Sequence, residues 1–349
     1  MPASPDIADA VAALIAAEGS IPLERFMGLA NAHYYATRDP FGAGGDFVTA
    51  PEISQMFGEM IGLALGELWQ RQGSGPVAYV ELGPGRGTLA VDALRAMRVV
   101  GLTPDVHLVE TSLLLRDMQR ERLPQATWHE TIDTLPYDRP LLIVANEFFD
   151  ALPVRQLIRT IGGWRERMIV DGPEGFEAVP GEASMDHYVP DHLRDADPGG
   201  IFEDSPAGRA VARTIAVLLA RQGGAMLAFD YGHDGRAAGD TLQAVHAHAY
   251  ADPFARPGSS DLTAHVDFNA IGTAAATGGA RVLGPVDQGQ WLMALGLSDR
   301  AAALARGAPD RAEEIGAAYR RLTDREEMGE LFQAIAFVAP NWPDPAGFS

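Results

Sequence analysis

The 349-residue chain contains no cysteine and no lysine, so all 27 of its basic side chains are arginines. Without cysteine there is no disulfide framework, thiolate nucleophile, cysteine-ligated zinc or iron–sulfur cluster. Without lysine there is no Schiff-base chemistry and no Walker-type phosphate loop, whose Gly-Lys-Ser/Thr run needs the ammonium. Positive charge is scarce as well, with a formal net charge of −20. The densest basic cluster, Arg116, Arg120 and Arg122, is interrupted by Asp117 and Glu121, so no patch invites a nucleic-acid backbone. An acidic surface serves solubility or attracts a cationic partner. Long apolar runs are missing too: none approaches the roughly 18 residues of a membrane span. Asp6, Asp9 and Glu18 precede the first arginine, Arg25, the reverse of a transit peptide or secretory leader. The expected compartment is the cytoplasm.

What is present is a globular composition, 47% hydrophobic and 21% charged. Five short apolar runs read as buried strands: Val77–Leu82, Val106–Glu110, Leu141–Ala145, Ala225–Asp230 and Leu331–Val338. Helical patterns over Thr88–Met97, Leu113–Arg122 and Arg209–Arg221 separate them. Alternation of this kind predicts a doubly wound α/β sheet, parallel and covered on both faces. Two regions depart from it. Between Val154 and Val179 the pattern predicts antiparallel strands around a Gly162-Gly163 turn, an inserted hairpin layer. Residues 1–72 read as helices and are expected to form a cover over the sheet's ligand edge, leaving 73–349 as the main domain, with insertions at about 154–205 and 235–325.

The most informative segment is Glu81-Leu82-Gly83-Pro84-Gly85-Arg86-Gly87-Thr88. It sets a glycine turn between a predicted strand and a predicted helix, where backbone approaches a ligand and a helix N-terminus offers free N–H groups. A dinucleotide-type G-x-G-x-x-G would need glycine at 88, where threonine stands. With Glu81 ahead of the turn, the E/D-x-G-x-G-x-G form fits S-adenosylmethionine, whose charged amino-acid end a carboxylate helps to hold. Glu110, closing the second strand, is the candidate acceptor for the ribose hydroxyls, a feature that NAD sites share. After the next strand, Asn146-Glu147-Phe148-Phe149-Asp150 places an amide, two carboxylates and an aromatic wall where a nitrogen nucleophile is held in line with a methyl group. Both phenylalanines equally suit a core, and Asp150 a turn cap before Pro153. His246 and His248 share a strand face without a third ligand nearby, so no metal is expected.

The runs Gly45–Glu59, Glu81–Thr88, Asn146–Val154 and Asp261–Phe268 together resemble the MidA-like family, whose mitochondrial members are assembly factors of respiratory complex I. The resemblance spans roughly residues 20–340. It implies a class I S-adenosylmethionine-dependent methyltransferase fold and methylation of an arginine in a complex I subunit or a similar protein. It also directs attention to Asp46 as a carboxylate facing the guanidinium, to His265 as a base or a structural histidine, and to Trp128, after a short third strand, as a contact for the adenine. Thr49-x-x-Glu52 ahead of Ile53, Met56 and Phe57 reads better as a capping box than as a ligand contact. Two rival functions share many of these features: an NAD-dependent oxidoreductase, and a non-catalytic assembly factor that binds S-adenosylmethionine.

Overall fold

A computed structural model describes residues 7–40, 48–235, 239–246 and 249–348. The described residues fall into two compact units, one drawn from Met1–Phe47, Asp150–Ala210 and His233–Ala270, the other from Val48–Phe149, Val211–Gly232 and Ile271–Ser349. Among the described residues no helix is long and apolar enough to cross a membrane.

The second unit carries a large sheet. Seven of its strands lie on one path: β1 (Ala78–Leu82), β2 (Asp105–Val109), β3 (Thr127–His129), β4 (Leu141–Asn146), β5 (Gly224–His233), β6 (Arg281–Asp287) and β7 (Phe332–Val338). Their spatial order is β3-β2-β1-β4-β5-β7-β6. The pairs β3/β2, β2/β1, β1/β4 and β4/β5 are all parallel. This is the doubly wound order with one strand added between its fifth and sixth, and the order reverses between β1 and β4, where ligands bind such sheets. The apolar runs form strands because both faces are covered: Leu141, Leu142, Ile143 and Val144 of β4 are fully buried, as are Ala225, Met226, Leu227 and Phe229 of β5.

One strand corrects the expectation of a parallel sheet. β7, predicted as Leu331–Val338, runs antiparallel to both β5 and β6. A continuous apolar run reports burial on two faces, which a central antiparallel strand shares with a parallel one. β6 itself was hidden because Gly284 and Pro285 interrupt it, and there the register with β7 shifts between Leu283 and Val286, a bulge that such residues mark.

Helix α1 (Gln55–Arg71) packs on α2 (Thr88–Val99), the helix that follows the glycine turn. Three glycines spaced four apart make the approach possible. A Cβ on Gly58 would lie 2.7 Å from Asp92 Cβ, one on Gly62 2.3 Å from the Ala93 carbonyl oxygen, and one on Gly66 2.5 Å from Val100 Cγ2. Spaced so, they share one helix face, and their bare surface seats α2 directly against backbone.

The first unit contains helices Ile7–Glu18 and Leu23–Thr37 together with a five-stranded antiparallel sheet. The predicted hairpin is there: Arg155–Thr160 pairs with Gly163–Gly172, with Thr160 opposite Gly163. Ile21-Pro22, inside a stretch expected to be helical, adds an edge strand against Met168 and Ile169. Val11, Ile15, Phe26 and Met27 pack with Val154, Ile169 and Leu262 into one core. Asn31 ties this core to the fourth motif. Its Nδ2 donates to the carbonyls of Leu262 (2.7 Å) and Ala151 (3.0 Å), and its Oδ1 accepts from the Leu262 N–H at 3.0 Å.

Candidate functional site

The glycine turn leaves β1 at the reversal point of the sheet. Gly83, Gly85 and Gly87 have φ of 60°, 53° and 75°, the left-handed region that glycine enters freely. A side chain at Gly83 would also meet Phe148 at 3.1 Å. The Gly87 N–H closes the turn on the Pro84 carbonyl at 2.7 Å. No side chain caps the start of α2, which leaves its first N–H groups to a ligand or to water.

Glu81 lies at the end of β1 and is 3% exposed. Tyr79 Oη donates to its Oε2 at 2.6 Å. Burial raises the Glu81 carboxyl to about 8, only partly opposed by that hydrogen bond, so at neutral pH the group is mostly protonated. Glu110, just beyond β2, is also buried. Burial pushes its pKa up against the pull of donors that favour the charged form: the N–H groups of Ser112 and Thr111, the Gln119 amide and the Arg116 charge. Ser112 N–H donates to Oε1 at 2.8 Å and Gln119 Nε2 to Oε2 at 3.3 Å. Trp128, in β3, donates from Nε1 to Gln119 Oε1 at 2.8 Å, and Arg120 stands 5.1 Å over its ring.

Beside the turn, at the end of β4, Asn146 Nδ2 donates to Glu147 Oε1 at 3.1 Å, while Asn146 Oδ1 is buried with no hydrogen-bond partner. Glu147 holds a left-handed φ of 49°, a conformation that costs a non-glycine residue roughly 1–3 kcal/mol and concentrates at working sites. Its N–H donates to the Phe229 carbonyl at 2.9 Å, and its Oε1 also accepts from the Ala50 N–H at 3.3 Å. Phe148 faces the turn, whereas Phe149 is 3% exposed and belongs to the core.

The structure thus gathers Glu81, Gly83, Gly85, Gly87, Glu110 and Trp128 around the turn, with Asn146 and Glu147 at the adjoining strand end. Asp150 belongs to the other compact unit, where its carbonyl accepts from Ala264 N–H at 3.0 Å. Asp46 lies outside the described residues, as does His248. His265 is half-buried in the first unit, where burial lowers its pKa, and its backbone N–H donates to Thr241 Oγ1. Among the described residues no group of three histidines or acids is placed to hold a metal ion.

The capping box is not formed. Thr49 makes no side-chain cap, and α1 starts instead on Ser54, whose hydroxyl accepts from Met56 N–H at 3.2 Å. The Glu52 carboxylate turns to the glycine loop, accepting from Thr88 Oγ1 at 2.5 Å and standing 3.6 Å from Arg86. Hydroxyl and charged partners from the turn take the carboxylate, while the Glu52 N–H that a Thr49 hydroxyl would cap bonds to the Thr49 carbonyl at 2.9 Å. Two further residues were not foreseen. Gln119, fully buried in α3 (Leu113–Arg122), donates to the Gly85 carbonyl at 2.7 Å. Asp230, in β5, accepts at Oδ2 from the N–H groups of Phe148 (3.2 Å) and Phe149 (2.9 Å), pinning the loop after β4.

Comparison with known proteins now identifies the ligand. The profile of a family described as "Putative S-adenosyl-L-methionine-dependent methyltransferase" matches residues 60–286. The mitochondrial protein arginine methyltransferase NDUFAF7 homolog of Drosophila melanogaster is 36% identical, the match covering 95% of this chain and 84% of that protein. Its Homo sapiens counterpart, protein arginine methyltransferase NDUFAF7, is 33% identical over 87% of this chain and 76% of its own. The crystal structure of a Burkholderia thailandensis protein bound to S-adenosylhomocysteine superposes with a TM-score of 0.86 at 31% identity, covering 98% of this chain and 93% of that one. The residues present fit such a cofactor: three left-handed glycines keep the turn bare, an uncapped helix follows it, and an unpartnered buried amide oxygen waits beside it. The oxidoreductase reading therefore falls away. The chain belongs to this family of S-adenosyl-L-methionine-dependent methyltransferases, and S-adenosyl-L-methionine is its cofactor.

Proposed function

We propose that the enzyme methylates an arginine side chain of a protein, with a subunit of respiratory complex I or a similar protein as the substrate. The observation that carries this reading is the buried, unpartnered Asn146 Oδ1 beside the Glu147 carboxylate at the end of β4. An acceptor oxygen next to a carboxylate suits a guanidinium, which offers only N–H donors and one positive charge. The names of the relatives, protein arginine methyltransferases, point the same way.

In this reading the backbone of Gly83, Gly85 and Gly87 admits the cofactor closely, Glu110 accepts the ribose hydroxyls, Trp128 lies toward the adenine and Glu81 toward the amino-acid end. Bound there, S-adenosylmethionine supplies an electrophilic methyl on a sulfonium. Asn146 Oδ1 takes an N–H of the substrate and turns that nitrogen toward the methyl, which is catalysis by positioning. Glu147 stabilises the guanidinium, which reaches the reaction protonated, and its carboxylate takes the N–H proton that the nitrogen sheds as the N–C bond forms, with S-adenosylhomocysteine as the leaving group. Asp150 and Asp46 stay candidate carboxylates on sequence grounds alone. The −20 net charge favours encounter with a basic protein segment.

The test is methyl transfer from labelled S-adenosylmethionine to purified complex I subunits, followed by mapping of the modified residue. Label on an arginine, lost in Asn146→Ala, is the expected result. Tight cofactor binding with label only on other residue types, or on none, would sink the arginine reading.

A further inference from the structure

Gln119 has no place in the proposed chemistry, yet it is fully buried and every polar atom of its side chain is used. Its Nε2 donates both hydrogens, one to the Gly85 carbonyl at 2.7 Å and one to Glu110 Oε2 at 3.3 Å, while its Oε1 accepts from Trp128 Nε1 at 2.8 Å. The partners fix which way the amide faces: two acceptors on one side, one donor on the other. Its Cγ also lies 3.5 Å from where a Cβ on Gly87 would sit. One side chain on α3 therefore touches the glycine turn, the carboxylate after β2 and the indole of β3.

We infer that Gln119 is a positioning residue of the cofactor site, holding the Gly85 turn, the Glu110 carboxylate and the Trp128 indole in one fixed arrangement so that Glu110 meets a nucleoside's ribose as an ionised acceptor. The inference rests on the proposed placement of the cofactor over the turn. Glu110 needs such help because it is buried, and a protonated carboxyl would lose one of its acceptor sites for the two ribose hydroxyls. The charged groups around it do not replace Gln119. Arg116, on α3, spends its Nε and Nη2 on the Glu110 backbone carbonyl and reaches the His129 carbonyl at 3.1 Å. The His129 ring, on β3, pairs through Nε2 with His107 Nδ1 of β2 at 2.9 Å and through Nδ1 with Thr134 at 2.8 Å, so neither ring nitrogen serves the carboxylate.

The experiment is calorimetric titration of the full chain with S-adenosylhomocysteine from about pH 4 to about pH 8, which spans the ordinary carboxylate range and the region above it. Wild type and Glu110→Ala come first. No binding by wild type, or unchanged binding by Glu110→Ala, overturns the cofactor placement itself. With that placement standing, Gln119→Met, which keeps the volume and removes the hydrogen bonds, is expected to weaken binding roughly tenfold or more near neutrality. It should also move the acid limb of the binding curve to higher pH, since a donor favouring the ionised form is gone. Gln119→Glu, setting a second carboxyl against the first, should move that limb further. A dissociation constant within twofold of wild type, or a loss equal at every pH, would overturn the role, because a packing defect has no acid limb of its own. Should neither Gln119 variant fold, Trp128→Phe frees the amide to turn and is expected to shift the limb in the same direction by less; an unmoved limb there refutes the inference.

Discussion

The buried acid at the end of β1 provides the sharpest quantitative test. Glu81 is 3% exposed, and its carboxyl is raised from 4.5 to about 8. For an acid whose folded value lies above its unfolded one, the fold favours the protonated form. The stability it contributes is fully present below about pH 4.5, falls by about 1.4 kcal/mol for each pH unit above that, and is gone once the pH passes about 8. Relative to a group that never ionises, Glu81 thus costs the protein about 1 kcal/mol at pH 5, about 3 kcal/mol at pH 7 and nearly 5 kcal/mol above pH 8. Glu81→Gln keeps the size and the acceptor for Tyr79 and cannot ionise. The variant is expected to gain about 3 kcal/mol at neutral pH in the absence of ligand. At roughly 2 cal/mol/K of unfolding entropy per residue this is about 4 °C in Tm. The same change removes the one carboxyl there that a neighbouring ammonium can draw into its charged form, so affinity for S-adenosylmethionine should fall while stability rises. Thermal melts of both proteins between about pH 5 and about pH 9, with cofactor titrations alongside, decide it. A Tm difference independent of pH, or a variant less stable throughout, would refute the account of Glu81 as an acid held neutral by burial.

Two other predictions concern the framework. Gly62→Ala improves helix propensity by about 1 kcal/mol, yet it drives a Cβ to 2.3 Å from the Ala93 carbonyl oxygen; the net result expected in urea unfolding is a loss of about 1–3 kcal/mol, and an unchanged midpoint would show that α1 and α2 separate freely. Asn31→Ala orphans the Leu262 N–H and the Leu262 and Ala151 carbonyls, at an expected cost of roughly 2–4 kcal/mol, and faster exchange of the Leu262 amide proton should report the damage locally.

The parts of the site that were legible in the sequence are those whose requirements are local. Left-handed backbone at 83, 85 and 87 calls for glycine, and the fully buried strands call for unbroken apolar runs. Where the reading failed, a distant partner decided. Thr49-x-x-Glu52 has the spacing of a capping box, but Thr88 and Arg86, more than 30 residues away, take the carboxylate. Gln119 looks like any polar residue of an amphipathic helix until β3 and the glycine turn close over it, and Asp230 looks like the polar end of a strand until the loop after β4 presents two N–H groups to it. Strand direction failed for a related reason. The apolar pattern of β7 records what covers it, not which way it runs.

The absence of lysine acquires a structural meaning at the same places. A buried polar group must be paired, and at strand ends several carbonyls crowd one small volume. Arg116, 8% exposed, satisfies the carbonyls of Glu110 and His129 at once through separate nitrogens of one rigid plane. Around Glu59, which is 6% exposed, Arg300 donates from Nε at 2.8 Å and Nη2 at 2.9 Å, and Arg95 adds a third bond at 3.0 Å. Those donors hold the Glu59 carboxyl below its ordinary range despite its burial. An ammonium is a point charge on a flexible stem and is more strongly hydrated than a guanidinium. In a chain with 27 cations to 47 acids, a forked donor lets one arginine pair two oxygens at once, as Arg300 does on Glu59 and Arg116 on two strand-end carbonyls.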